Sequence, residues 1–206
     1  MTFLEFKTKF AQSRIIDIRN VKTFFNGIDR RRLYEWQKKG YLIRIANNHY
    51  IFQDTRVDDH GLKTIASRVY QPAYIGLQSA LAYYGFIPEA VFQTISITTR
   101  RSKIIKTAVG DFQYRAIKKE LFFGYNAVDD SLDHFFISDP EKTILDFLYF
   151  LPEAGKKEVL EELRFNPGEV RAQIDAVKLR DYALLFDSPK INTAVKSLME
   201  IVDVKF

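Results

Sequence analysis

The side chains best suited to chemistry in this chain fall into three groups. The run "DPEKTILDF" at 139–147 gathers Asp139, Glu141, Lys142 and Asp146, the residue types a nuclease uses around a metal ion. The run "YIGLQSALAYYGF" at 74–86 offers Ser79, a nucleophile if a base stood near it. The run "DRRRLYEWQKKG" at 29–40 opens with Arg30, Arg31 and Arg32, whose chemistry is binding phosphate rather than making or breaking bonds.

The first two groups have structural explanations. Asp139 is placed to cap a helix that starts at Pro140, and Glu141 falls in its first turn, where a carboxylate suits the helix dipole. No histidine or aspartate frames Ser79 in a nucleophile elbow, so a small residue inside a packed helix explains it. The arginines are different. Cations at a helix N-terminus oppose the dipole, so helix stability does not account for them, and phosphate contact does. The three histidines, His49, His60 and His134, lie far apart with no metal-ligand spacing. The chain has no cysteine, and neither a Walker loop nor a GxGxxG turn occurs. No enzyme activity, metal or cofactor is expected.

Specific elements must position the arginines. In "IRNVKTFF", Ile18, Val21 and Phe25 stand at helical spacing, and "NGI" at 26–28 supplies a turn. Asp29 is an N-cap, Leu33 and Trp36 share the buried face of a second helix, and Gly40 ends it. At about 100° per residue, Arg31, Tyr34, Glu35 and Lys38 then point away from that face, with Arg30 and Arg32 on its flanks. Ile43 and Ile45 alternate with Arg44, Asn47-Asn48 forms a two-residue turn, and Tyr50 and Phe52 continue the apolar face. This hairpin pairs Ile45 with Tyr50 and Ile43 with Phe52. Helix, turn, helix and hairpin make a winged helix-turn-helix over residues 1–56. Its expected DNA contacts are Arg30, Arg31, Arg32, Tyr34 and Lys38 on the helix and Arg44, Asn47, Asn48 and His49 on the wing.

After the polar stretch "QDTRVDDHG" the pattern becomes mixed α/β. Helices are expected at about 61–70 and 76–84, strands at 93–100 and about 111–117, a helix from Pro140, and two or three more helices between about 156 and 203. The fold class is α+β, with residues 57–206 as the second domain.

Of 206 residues, 47% are apolar and 15% aromatic, enough for a substantial core. The charge of +5 is unevenly spread: residues 1–56 hold 12 Lys and Arg against 5 Asp and Glu, and the remainder hold 19 against 21. The N-terminus lacks the apolar run of a signal peptide, and no stretch approaches the roughly 20 apolar residues of a membrane span. A soluble cytoplasmic protein is expected.

The runs "RRRLYEWQKKGYLIRIANNHYIF", "YIGLQSALAYYGFIPEAVFQTISITTRR", "GDFQYRAIKKELFFGY" and "ISDPEKTILDFLYF", in that order and spacing, resemble the AbiEi-type antitoxin and transcriptional-regulator family. The resemblance implies a DNA-binding antitoxin of a type IV toxin–antitoxin, or abortive-infection, system. Such a protein represses its own operon at inverted repeats in double-stranded DNA. It counters a nucleotidyltransferase-like toxin without forming a stable complex with it. The family's wing turn often contains glycine where this chain has "NNHY", which puts the contacts of the wing tip in question. A stand-alone regulator whose second domain senses a ligand or partner is the alternative, and a targeted nuclease is a third.

A second basic cluster comprises Arg100, Arg101, Lys103, Lys106, Arg115, Lys118 and Lys119. It can extend the DNA footprint, bind RNA or a phosphorylated partner, or simply solvate a hairpin.

Overall fold

The computed structural model describes residues 1–25, 27–89, 91–129 and 133–204. The chain opens on α1 (Phe3–Phe10), held by a capping box in which Thr2 and Glu5 satisfy each other's backbone amides. There follow β1 (Ile16–Asp17), a 3₁₀ turn at Asn20–Thr23, α2 (Arg30–Lys38), β2 (Leu42–Ala46) and β3 (His49–Phe52). The helix expected over "IRNVKTFF" is reduced to that 3₁₀ turn. Arg19 gives it no side-chain cap, Ile18, Val21 and Thr23 are β-branched, and the residues just before it are paired into β1. Val21 is nonetheless fully buried, so its spacing reports packing and not helix.

α2 begins as its sequence dictates. The Asp29 carboxylate accepts from Arg31 N at 2.8 Å, and Gly40 leaves the helix at φ +70. Leu33 and Trp36 turn inward to a core of Phe6, Phe10, Val21 and Leu42. The Trp36 ring lies 5.3 Å from that of Phe3 and 5.1 Å from that of Phe6.

The hairpin turns at Asn47-Asn48, with Asn48 at φ 65. Its register differs by one from the expected pairing. Arg44 stands opposite Tyr50, Ile43 opposite Ile51 and Leu42 opposite Phe52, with a bulge between Arg44 and Ala46 that leaves Ile45 as the extra residue. Leu42, not Ile43, therefore shares a face with Phe52. Leu42, Tyr50 and Phe52 pack on the N-terminal helices, while Ile43, Ile45 and Ile51 face the opposite way. There they join Ile15 and a core that includes Ile65, Phe112, Tyr114 and Ile137. The three-stranded sheet β1-β3-β2 is thus buried on both faces.

The rest of the chain contains α3 (Asp59–Val69), β4 (Ala73–Ile75), α4 (Leu77–Tyr83), β5 (Thr94–Thr98), β6 (Lys103–Thr107), β7 (Gly110–Ala116), β8 (Tyr125–Asp129) and β9 (His134–Ser138). Then come α5 (Pro140–Phe150), α6 (Lys157–Glu161), α7 (Pro167–Gln173), α8 (Ala176–Leu185) and α9 (Pro189–Ile201). The six strands run in the order β6-β7-β5-β4-β9-β8, with β5–β7 and β4–β9 parallel and the other pairs antiparallel. α3 and the hairpin cover one face of this sheet, and α4, α5, α8 and α9 build the larger core on the other. The architecture is α+β. Ser79 is structural: its hydroxyl donates to Gln93 O at 3.1 Å and accepts from Ile95 N at 2.8 Å, tying α4 to β5. Among the described residues, no helix is long and apolar enough to cross a membrane.

Because Ile51 is 1% exposed at the seam between the two sheets, Ile51→Ala should cost about 2–5 kcal/mol. Trp36, the only tryptophan, reports on the N-terminal core. Its fluorescence and the far-UV ellipticity should therefore be lost together on denaturant titration. A separate, earlier fluorescence transition would show that the hairpin does not couple the two parts.

Candidate nucleic-acid interface

The outward side of α2 carries exposed Arg30, Arg31, Arg32, Tyr34, Glu35 and Lys38. Tyr34 is 67% exposed. Among the described residues, Arg30, Arg31 and Lys38 have no carboxylate partner, while the Arg32 guanidinium reaches back to Met1 O and so also helps fix the start of α1. Cations without carboxylate partners thus flank an exposed tyrosine on a helix whose other side is anchored by Leu33 and Trp36, and the outward side carries uncompensated positive charge.

The hairpin contributes less than its sequence suggests. Arg44 and Asn47 are exposed, with Arg44 Nε 3.4 Å from Ala46 O. Asn48 is half-buried and its carbonyl accepts from Ile18 N at 2.9 Å, which ties the turn to the segment after β1. His49 is turned inward and only 5% exposed. Its Nδ1 lies 2.9 Å from Asn47 O, and its Nε2 lies 3.9 Å from the Asp17 carboxylate. Burial lowers the His49 pKa, against the opposing pull of the Asn47 carbonyl and of Asp17. Burial by itself would raise Asp17, but hydrogen bonds from Arg19 and the neighbouring positive charge hold it below the usual carboxylate range.

Members of the second basic cluster meet different partners. Arg100 lies with its guanidinium carbon 4.3 Å from the Tyr70 ring centre and donates to Gln71 O at 3.2 Å, and Lys103 Nζ stands 5.7 Å from the same ring. The Tyr70 hydroxyl donates to Arg101 O at 3.2 Å, which ties this turn to the end of α3. Arg115 is half-buried over the Phe150 ring at 4.9 Å. Lys106, Lys118 and Lys119 are exposed. β6, at the free edge of the six-stranded sheet, runs against β2, at the free edge of the other.

The acidic set of α5 is closed off from solvent. Lys142 Nζ contacts the Asp146 carboxylate and the Tyr74 hydroxyl, and Tyr74 donates to Asp146 at 2.8 Å, with both charged side chains fully buried. Burial pushes the Lys142 ammonium down and the Asp146 carboxyl up, and the contact between them opposes both shifts. Asp139 caps α5 through Lys142 N and also meets Lys178 Nζ at 3.1 Å and the Tyr182 hydroxyl at 3.1 Å. Glu141 accepts from Asp175 N at 2.8 Å and pairs with Lys178 at 2.8 Å. Among the described residues, no three His, Asp or Glu side chains are grouped to hold a metal ion. Tyr70, Tyr74, Lys178 and Tyr182 complete these clusters, and no local pattern marks them: Tyr74 meets Asp146 across 72 positions of sequence.

The depressed His49 pKa fixes a direction for acid sensitivity. The unfolded chain takes up a proton near 6.5 that the folded chain resists, so stability should fall as pH drops through that value. His49→Gln should flatten the dependence of denaturation free energy on pH between about 7 and 5; an unchanged slope would place its source elsewhere. Compared with known protein families and with curated proteins, the chain matches none.

Proposed function

We propose that the chain is a sequence-specific DNA-binding repressor whose first 56 residues act as a winged helix-turn-helix, with α2 as the recognition helix. The observation that carries this reading is the outward side of α2, where Arg30, Arg31, Tyr34 and Lys38 are exposed and the cations lack carboxylate partners among the described residues. The order α1, β1, 3₁₀ turn, α2, β2, β3 supports this reading if the middle helix of a winged helix is reduced to one turn. In this docking, α2 enters the major groove by its N-terminal turns, and Arg44 and Asn47 at the hairpin tip reach the flanking backbone. His49 supports the wing from inside.

The resemblance in sequence supports a narrower form of the proposal: a cytoplasmic type IV antitoxin that represses its own operon at inverted repeats and counters a nucleotidyltransferase-like toxin. Growth rescue on co-expression with a neighbouring gene of that kind is its test. The stand-alone regulator is favoured by one feature, a cavity of about 410 Å³ between the two sheets, lined by Asp17, His49, Arg68, Gln71 and His134 among others. Absence of such a neighbouring gene, together with intact operator binding, would favour it.

Arg31→Ala should cost about 1–3 kcal/mol in affinity for DNA from upstream of the gene. Unchanged affinity in both Arg31→Ala and Lys38→Ala, on folded protein, overturns the docking. Duplex contact confined to the N-terminal part also makes the salt dependence of binding insensitive to Arg100, Arg101, Lys103 and Lys106. If their joint replacement by alanine makes the slope of log affinity against log salt shallower by about two, the second cluster shares the duplex.

A further inference from the structure

We infer that the second half of the chain carries a nucleotide-binding slot, distinct from the duplex surface of α2. The slot lies beside the start of β4 and draws its lining from both faces of the six-stranded sheet: Ser67 and Ala73 belong to the side that α3 covers, and Phe122, Tyr125 and Phe136 to the side of the larger core. It has a volume of about 300 Å³ and is lined by Ser67, Gln71, Pro72, Phe122, Tyr125 and Phe136 among others. Phe122, Tyr125 and Phe136 are each only half-buried, so they leave aromatic surface open to the slot. Two of them are held firmly: Tyr125 stacks on the fully buried Tyr74 at 4.8 Å and 17°, and Phe122 packs 5.0 Å from Tyr74 and 5.2 Å from Tyr125. Preformed, partly solvated rings are the platform on which a nucleobase stacks, and stacking tolerates any base because every base has a π face. Gln71, which also lines the slot, carries a side-chain amide with both a donor and an acceptor suited to the edge of a base.

Charge on the segments next to the slot supplies the other half of a nucleotide. Arg100 donates to the carbonyl of Gln71, a lining residue, at 3.2 Å, which holds it next to the slot. Lys118 and Lys119 are exposed, and their carbonyls accept from Leu121 N at 3.0 Å and Phe122 N at 3.2 Å, so the lysines sit on the turn that delivers Phe122 to the slot. None of the three has a carboxylate partner among the described residues, although residues 57–206 hold more acids than bases. Aromatic surface with these cations on the neighbouring turns is complementary to a base bearing phosphate. The same chemistry comes from a free mononucleotide or from the end of a single strand.

Calorimetric titration of the full chain with AMP, adenosine and a short single-stranded oligoadenylate tests the slot. AMP should bind, and adenosine should bind about tenfold more weakly. The double variant Lys118→Glu/Lys119→Glu should weaken AMP about tenfold while leaving adenosine unchanged, and because both side chains are exposed it should fold normally. Tyr125→Leu should weaken both ligands. Oligoadenylate binding more tightly than AMP identifies a strand end as the source, and AMP binding alone identifies a free nucleotide. Arg31→Ala should leave all of these affinities unchanged, which separates the slot from the duplex reading. The inference is overturned if neither AMP nor oligoadenylate binds at about 1 mM, if the lysine variant binds AMP as the parent does, or if duplex DNA displaces AMP.

Discussion

Burial of the β2–β3 hairpin on both faces governs the rest of the molecule. A hairpin that packs only on the helices before it leaves its second face in water. Here that face carries Ile43, Ile45 and Ile51, and with Ile15 they enter the same core as Ile65, Phe112 and Tyr114. Buried apolar area stabilises by roughly 25 cal/mol per Å², so several aliphatic side chains at one seam contribute on the scale of a whole domain's net stability. The hairpin therefore fixes α2 relative to the six-stranded sheet. Whatever binds at one end acts on a body whose other end is held in register by this packing.

A second constraint lies at α5. Lys142 and Asp146 are one helical turn apart and wholly buried, an arrangement that gains little over a hydrophobic pair once desolvation is counted. Its effect is on orientation: Tyr74 from β4 must meet Asp146, and Lys178 and Tyr182 from α8 must meet Asp139. A rotated α5 would leave charges buried without partners, so the network ties one strand and two helices into a single arrangement. Gly124 completes it from the side. At φ +66 it lies where a Cβ would stand 2.9 Å from the Tyr182 ring and 3.1 Å from Lys142 Cβ, too close for any side chain.

The elements that sequence foretold are those governed by local rules. Asp29 and Asp139 cap their helices, Gly40 and Asn48 take positive φ, and Leu33 with Trp36 mark the buried side of α2, all within a few residues of one another. Features set by distant partners were hidden. The bulge at Ile45 follows from fitting the hairpin between two cores, and nothing in "LIRIANNHYIF" declares the second one. His49 has the composition of a wing-tip contact but is buried by Asp17 and the segment around it. β4, β6, β8 and β9 are short and without clean alternation, because the sheet's two covered faces and its edges place different demands on each strand. The exposed side of α2 was legible because helical periodicity alone defines it.

The meeting of β2 with β6 has a consequence for the integrity of the polypeptide. Each is the last strand on one side of its sheet, and the two lie close together without sharing a ladder. β6 also bears Ile104, 54% exposed, beside Ile105, which packs in the shared core. Proteolytic loss of the N-terminal segment would uncover that strand and the apolar side chains behind it at once. The truncated product would present a ready edge for strand pairing with its own kind, so clipping in the 53–58 connector would lead to self-association and insolubility rather than to a free second half.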